Sequence, residues 1–305
     1  MASWPNFFIV GAAKAGTTSL YRYLGQHPDV YMSPRKEPHF FSAVNPDPSQ
    51  RWFVPTVSDE AAYLELFAGA GGQRAVGEAS TSYLWDPHAA ERISKKMPQA
   101  KIVIMLRDPI ERAFSHYLMD VREGIQTKSF TQALEEDAGR PVKGWGVSHL
   151  YLELGQYAGQ VERYLAVFPR SQVHIVFFET FTRDTSTCVL EVLRFLGINP
   201  DPSEILSGMN VSDRFNAYAA PKGAWAGRLL GSPALRQAAR RLLPRGARGA
   251  AKQALLLRKP DSKPQIDAEA RSFLSRHYDA EIRALEELLG FAVPWNSPSP
   301  PQAHA

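Results

Sequence analysis

At 305 residues, with 44% hydrophobic and 22% charged side chains, the chain has an ordinary globular composition, which excludes fibrous and wholly disordered classes and allows a sizeable core. The single cysteine, Cys188, rules out an intrachain disulfide, and no stretch approaches the roughly 18 to 20 apolar residues of a membrane span, so a cytoplasmic protein is expected. The net charge of +4 is unevenly spread: residues 222–263 hold 11 Lys or Arg against one acid, Asp261, and the basic character belongs to that segment.

The first apolar run, Phe7–Val10, stops at Gly11, and a helix is expected from Thr17, with Leu20 and Leu24 one turn apart on its inner face. The wider apolar stretch from Phe7 to Ala13 is short, ends at Lys14 and has no basic segment before it, so it reads as a strand and not as a signal peptide. Further strands are expected at Ala75–Glu78, Lys101–Leu106 and Val173–Phe178, followed by helical patterns at Asp86–Met97, Pro109–Glu123 and Thr182–Leu196. Helices are also expected at Asp59–Phe67, His149–Val167 and Asp267–Leu289. This alternation predicts an α/β fold, a central parallel sheet flanked by helices, with residues 1–296 as one domain and a disordered tail at 297–305.

The loop between the first strand and helix, GAAKAGTT, has the glycine spacing of the phosphate-binding pattern G-x-x-x-x-G-K-[ST]. Thr17, however, occupies the lysine position, and the nearby lysine is Lys14, inside the loop. Glycines and a helix N-terminus suit an oxyanion, while a tight turn with a threonine cap is the plainer reading. Arg107 follows the third strand, Asp108 can cap the next helix, and Ser115 lies two turns along it, which together suit a second phosphate. The plainer reading pairs Arg107 with Asp108 or Glu111.

Together, VGAAKAGTTSLYRYLGQHP, KEPHFF, GEASTSYL and RDPIERAFSHY resemble the sulfotransferases that use 3′-phosphoadenosine-5′-phosphosulfate (PAPS), above all the bacterial and carbohydrate-acting branches. The resemblance implies a P-loop-like fold and a metal-independent, in-line sulfuryl transfer to a hydroxyl of a glycan, lipid or small metabolite, leaving adenosine 3′,5′-bisphosphate (PAP). It implies that Lys14, Ala15, Gly16, Thr17, Thr18 and Ser19 hold the 5′-phosphosulfate, with Lys14 at the bridging oxygen, and that Arg107 and Ser115 hold the 3′-phosphate. Glu37 takes the place of the catalytic base, with His39 the next candidate; the plainer reading pairs Glu37 with Arg35 or Lys36.

The chain departs from that pattern in two places. Ala79 stands where heparan-modifying relatives often have lysine, and Asp213 with Arg214 replaces a basic-glycine pair, so Arg214 or Lys222 is left to complete the 3′-phosphate site. Glu78, Ser80, Ser82 and Tyr83 are expected on the acceptor side. The basic segment, including an amphipathic pattern at Ala234–Leu243, reads either as solvated surface helices or as a lid meeting an anionic membrane or polyanion; nucleic acid is not expected. A nucleotide kinase and a non-catalytic, membrane-associated binding module are the alternative functions.

Overall fold

The computed structural model describes residues 4–44, 54–145, 148–198, 219–232, 254–258 and 264–295. Five strands, β1 (Phe7–Gly11), β2 (Val30–Met32), β3 (Ala75–Ala79), β4 (Lys101–Leu106) and β5 (Val173–Phe177), form one parallel sheet in the order β2-β3-β1-β4-β5. Every residue of β1 and all but the first of β4 are buried, as their unbroken apolar runs require in a sheet covered on both faces. The chain steps outward from β1 to β2, returns through β3, and then crosses β1 to reach β4. The direction therefore reverses between β1 and β4, and the crevice beyond their C-terminal ends is where an open α/β sheet binds ligands. The Gly11–Gly16 loop leaves β1 at that point, and Arg107 leaves β4.

Capping chemistry sets the helix ends. Helix α1 (Thr17–Leu24) follows Gly16, and α5 (Pro109–Arg122) begins at its proline, with the Asp108 carboxylate accepting the Ile110 and Glu111 amides at 2.8 and 3.4 Å. The helix expected over Thr182–Leu196 is divided into α8 (Phe178–Arg183) and α9 (Thr185–Phe195), because Asp184 caps a new start by accepting the Thr187 amide at 3.0 Å. α2 (Glu60–Glu65) lies within its expected range. The pattern at Asp86–Met97 holds α4 (Ala89–Lys96), and a single turn that was not expected, α3 (Ser82–Trp85), precedes it. Only Tyr157–Val167, α7, is α-helical in the span expected from His149, preceded by a 3-10 turn at Glu153–Gly155. Strand β2 and helix α6 (Phe130–Ala138) were not anticipated.

The main core gathers the sheet with α1, α7 and α9, while a second cluster joins Phe114 and Leu118 of α5, Phe130 and Leu134 of α6, and Leu274 and Tyr278 of the Ala268–Leu289 helix. Leu285 of that helix belongs to the main core, so one element spans both. A short antiparallel pair, Ala220–Pro221 with Leu257–Arg258, and the Ala224–Gly231 helix close a small satellite core of Ala219, Leu230 and Leu257. Arg214, the pattern at Ala234–Leu243 and the tail 297–305 lie outside the described residues. Among the described residues no helix is long and apolar enough to cross a membrane.

Candidate active site

The loop after β1 is held by its own backbone and by β4. The Ala12 amide donates to the Met105 carbonyl at 2.6 Å, and the Ala15 amide donates to Ala12 at 3.2 Å, so Ala15 shapes the loop with its own N–H. Gly16 stands at φ 90°, and a Cβ there would come within 2.9 Å of the Phe178 ring, so both backbone and space demand glycine. The Ser19 and Leu20 amides turn to the Gly16 carbonyl, leaving the Thr17 and Thr18 amides at the open, positive end of α1.

Lys14 and Arg107 meet at this opening. The Arg107 guanidinium donates to the Lys14 carbonyl at 3.2 Å and lies over the Phe178 ring at 4.5 Å, while its Nε is buried without a protein partner. The plainer pairing fails: Asp108 is occupied as a helix cap, and Glu111 pairs with Arg271 at 2.9 Å. The Lys14 ammonium touches Met119 Sδ at 3.5 Å, and among the described residues no carboxylate forms an ion pair with it. Burial, then the Arg122 and Arg107 charges, bring its pKa down to about 8 against the opposing pull of Asp120. Such crowding of cations is the electrostatic signature of a site for a polyanion.

At the end of β3, Glu37 is clamped. Its carboxylate pairs with Lys36 at 2.6 Å and accepts the Thr81 amide at 2.9 Å, with the Thr81 hydroxyl at 3.2 Å. The pairing with Lys36 envisaged as the plainer reading is therefore present, and it coexists with a carboxylate whose side chain is still 28% exposed. Burial pushes its pKa up, but Lys36, His39 and the Thr81 amide outweigh it, so the group is held below the usual carboxylate range and is ionised at neutral pH. His39 is buried, with Nδ1 2.6 Å from the Ser82 hydroxyl and Nε2 3.5 Å from Glu37. Burial lowers its pKa despite Glu37, which keeps the imidazole neutral near pH 7. Trp145 packs 6.0 Å from His39 and 6.0 Å from Trp85, walling the space beside the carboxylate.

The chain from residue 5 to residue 213 matches the model of the sulfotransferase domain. The chain belongs to the sulfotransferase family. Over 95% of its length it is 28% identical to the mouse bifunctional heparan sulfate N-deacetylase/N-sulfotransferase 4, and over 64% it is 28% identical to mouse carbohydrate sulfotransferase 15. The alignment spans 31% of the first of these relatives. The solved sulfotransferase from Alicyclobacillus acidocaldarius is 35% identical, covers 97% of this chain and all of its own, and superposes with a TM-score of 0.71. Mouse sulfotransferase SULT7A1, solved with PAP, shares the fold at 14% identity and a TM-score of 0.51, covering 95% of this chain and 88% of its own.

The fold brings Arg107 to Lys14 and His39 to Glu37, and the two pairs are linked by the charge of Lys36, which pairs with Glu37 and is felt by Lys14. Ser115 is half-buried on α5, the helix that also supplies Met119 beside Lys14. Lys222 is exposed and donates to the Ala254 carbonyl at 2.6 Å, which engages its ammonium elsewhere. Glu78, Ser80, Ser82 and Tyr83 are fully buried and do not line the acceptor side as expected. They lie under the segment that carries Glu37 and His39. Thr81, which holds the Glu37 carboxylate, was overlooked; the proximity of its motif to KEPHFF becomes visible only once the parallel register is known.

Proposed function

We propose that this sulfotransferase moves a sulfuryl group from PAPS to an acceptor hydroxyl. The observation that carries the reading is the meeting of Lys14 and Arg107, two cations with no ion pair to a carboxylate among the described residues, at the reversal of strand order, with an ionised carboxylate, Glu37, held at the end of the neighbouring β3. Residues of this kind fit the donor: the Thr17 and Thr18 amides and Lys14 suit its 5′ end, and the orphaned Arg107 Nε and the Ser115 hydroxyl suit its 3′-phosphate. When bound, the donor supplies the activated sulfuryl group. Lys14 then places positive charge where the departing phosphate oxygen gains negative charge, and Glu37 takes the acceptor proton as the acceptor oxygen bonds to sulfur. His39 is neutral and is positioned between Ser82 and Glu37, which makes it the second candidate for proton transfer.

A kinase would share the sheet and the glycine loop, but Thr17 stands where its lysine is needed. Calorimetry with PAP and with ADP separates the two readings: PAP is expected to bind at least 100-fold more tightly, and equal or tighter ADP binding would reject the sulfuryl-transfer reading. The acceptor is then sought by labelled-sulfate transfer to a panel of glycans, lipids and small hydroxyl compounds, with amines included.

Contact with an anionic surface is proposed for residues 222–263. Trp225 and Leu229 are exposed one turn apart, at 55% and 40%, and Leu255 is exposed at 65%, within the segment that holds 11 of the chain's Lys and Arg residues. Sedimentation with phosphatidylserine vesicles but not neutral vesicles is expected, and Trp225→Ala should weaken it.

A further inference from the structure

The segment carrying Glu37 and His39 has a costly backbone. Glu37 and His39 stand at φ 59° and 57°, in the left-handed region that residues with side chains avoid, and such conformations persist only where the surroundings impose them. The residues that impose it lie at the buried end of β3, in the turn after it and on α2. The Glu37 amide donates to the Ala79 carbonyl at 2.9 Å, the His39 amide donates to the Ser80 hydroxyl at 3.1 Å, and the Phe41 amide donates to the Tyr83 hydroxyl at 3.3 Å. The Phe40 ring stacks on Tyr63 at 4.2 Å with 14° between the planes.

All three of these side-chain contacts lead to one group. Glu78, with no exposed surface, accepts the Ser80 hydroxyl on Oε2 at 2.7 Å and the Tyr63 and Tyr83 hydroxyls on Oε1 at 2.9 and 2.6 Å. A hydroxyl has a single proton. Once Ser80 and Tyr83 commit theirs to Glu78, their oxygens present only lone pairs to the segment above, and an amide N–H is the partner that matches.

We infer that Glu78 is a positioning residue for the transfer reaction: it sets the polarity of the Ser80 and Tyr83 hydroxyls and so fixes the Glu37–Phe41 segment in the conformation that presents Glu37 and His39. The inference rests on the sulfuryl-transfer reading for its catalytic consequence and on geometry alone for its structural one. Glu78→Gln is the sharpest variant, since it keeps the shape but turns one acceptor into an N–H donor facing hydroxyls already committed to donating. Ser80→Ala cuts only the arm to His39 and serves if Glu78→Gln does not fold.

Hydrogen exchange followed by mass spectrometry, together with PAP calorimetry and turnover on an acceptor found by the panel, tests the inference. Either variant is expected to speed exchange of the 38–43 segment by about 10-fold while the 12–19 loop is unchanged, to lower kcat by about 10-fold or more, and to leave the PAP Kd within twofold. The double variant should be no worse than Glu78→Gln, because both act on one chain of contacts. Unchanged exchange in 38–43, a loss of PAP affinity matching the loss of kcat, or additive effects in the double variant would overturn it. If the wild-type protein transfers no sulfate, the functional reading falls, and the exchange measurement still decides whether Glu78 holds the segment.

Discussion

Lys14 holds its proton loosely because it is buried and has cations for neighbours. In the free protein its pKa is about 8, so the ammonium is present below that value and is lost as the pH rises through it. A polyanionic donor favours the charged form. The alkaline limb of kcat/KM for the donor should therefore fall near pH 8, and that of kcat at higher pH, in steady-state profiles; Lys14→Arg should abolish the limb, since guanidinium does not titrate there. Glu37 makes a complementary prediction. Its ionised carboxylate should be replaceable by glutamine with a loss of about 100-fold or more in kcat and little change in PAP affinity, read by turnover and calorimetry. Both residues were legible in the sequence, Lys14 because it stands in a glycine loop and Glu37 because it sits in the KEPHFF stretch. The hydroxyls and amides that hold them were not legible, since Thr81 and Ser80 lie more than 40 positions from Glu37 and His39, and a hydroxyl carries no periodic signal.

Among the elements, the turn from β1 into α1 is the one proposed to meet the donor. Gly16→Ala would add a Cβ against Phe178 at a backbone angle suited to glycine, and a destabilisation of about 1–3 kcal/mol is expected in urea melts, accompanied by weaker PAP binding as the α1 amides shift. Asp108→Ala should cost about 1 kcal/mol through the lost cap of α5. Strands β1 and β4 were legible because a strand buried on both faces must be apolar throughout. Strand β2 has only three residues, and α6 is mixed in polarity; its capping box, Ser129 with Gln132, was the signal available. The division between α8 and α9 depends on Asp184, whose side chain has to turn back on the backbone, a choice that an apolar period does not register.

At the scale of the molecule, strand alternation announced a parallel sheet, but its order was not legible, because which strand pairs with which depends on how helices pack across the sheet. That order brings Arg107 beside Lys14 from 93 residues away. The Ala268–Leu289 helix then joins the two cores, and Leu274→Ala should cost about 2–5 kcal/mol in equilibrium unfolding because its side chain is wholly buried between α5 and α6. The same helix has a bearing on the timing of folding. Both sides of the candidate site are encoded before residue 200, yet the flank of α5 that carries Phe114 and Leu118 is closed by a segment made more than 65 residues later. At the usual pace of about 5–20 residues per second, a nascent chain spends several seconds with both sides of the site made and this apolar flank uncovered, an interval in which the uncovered side chains are open to aggregation.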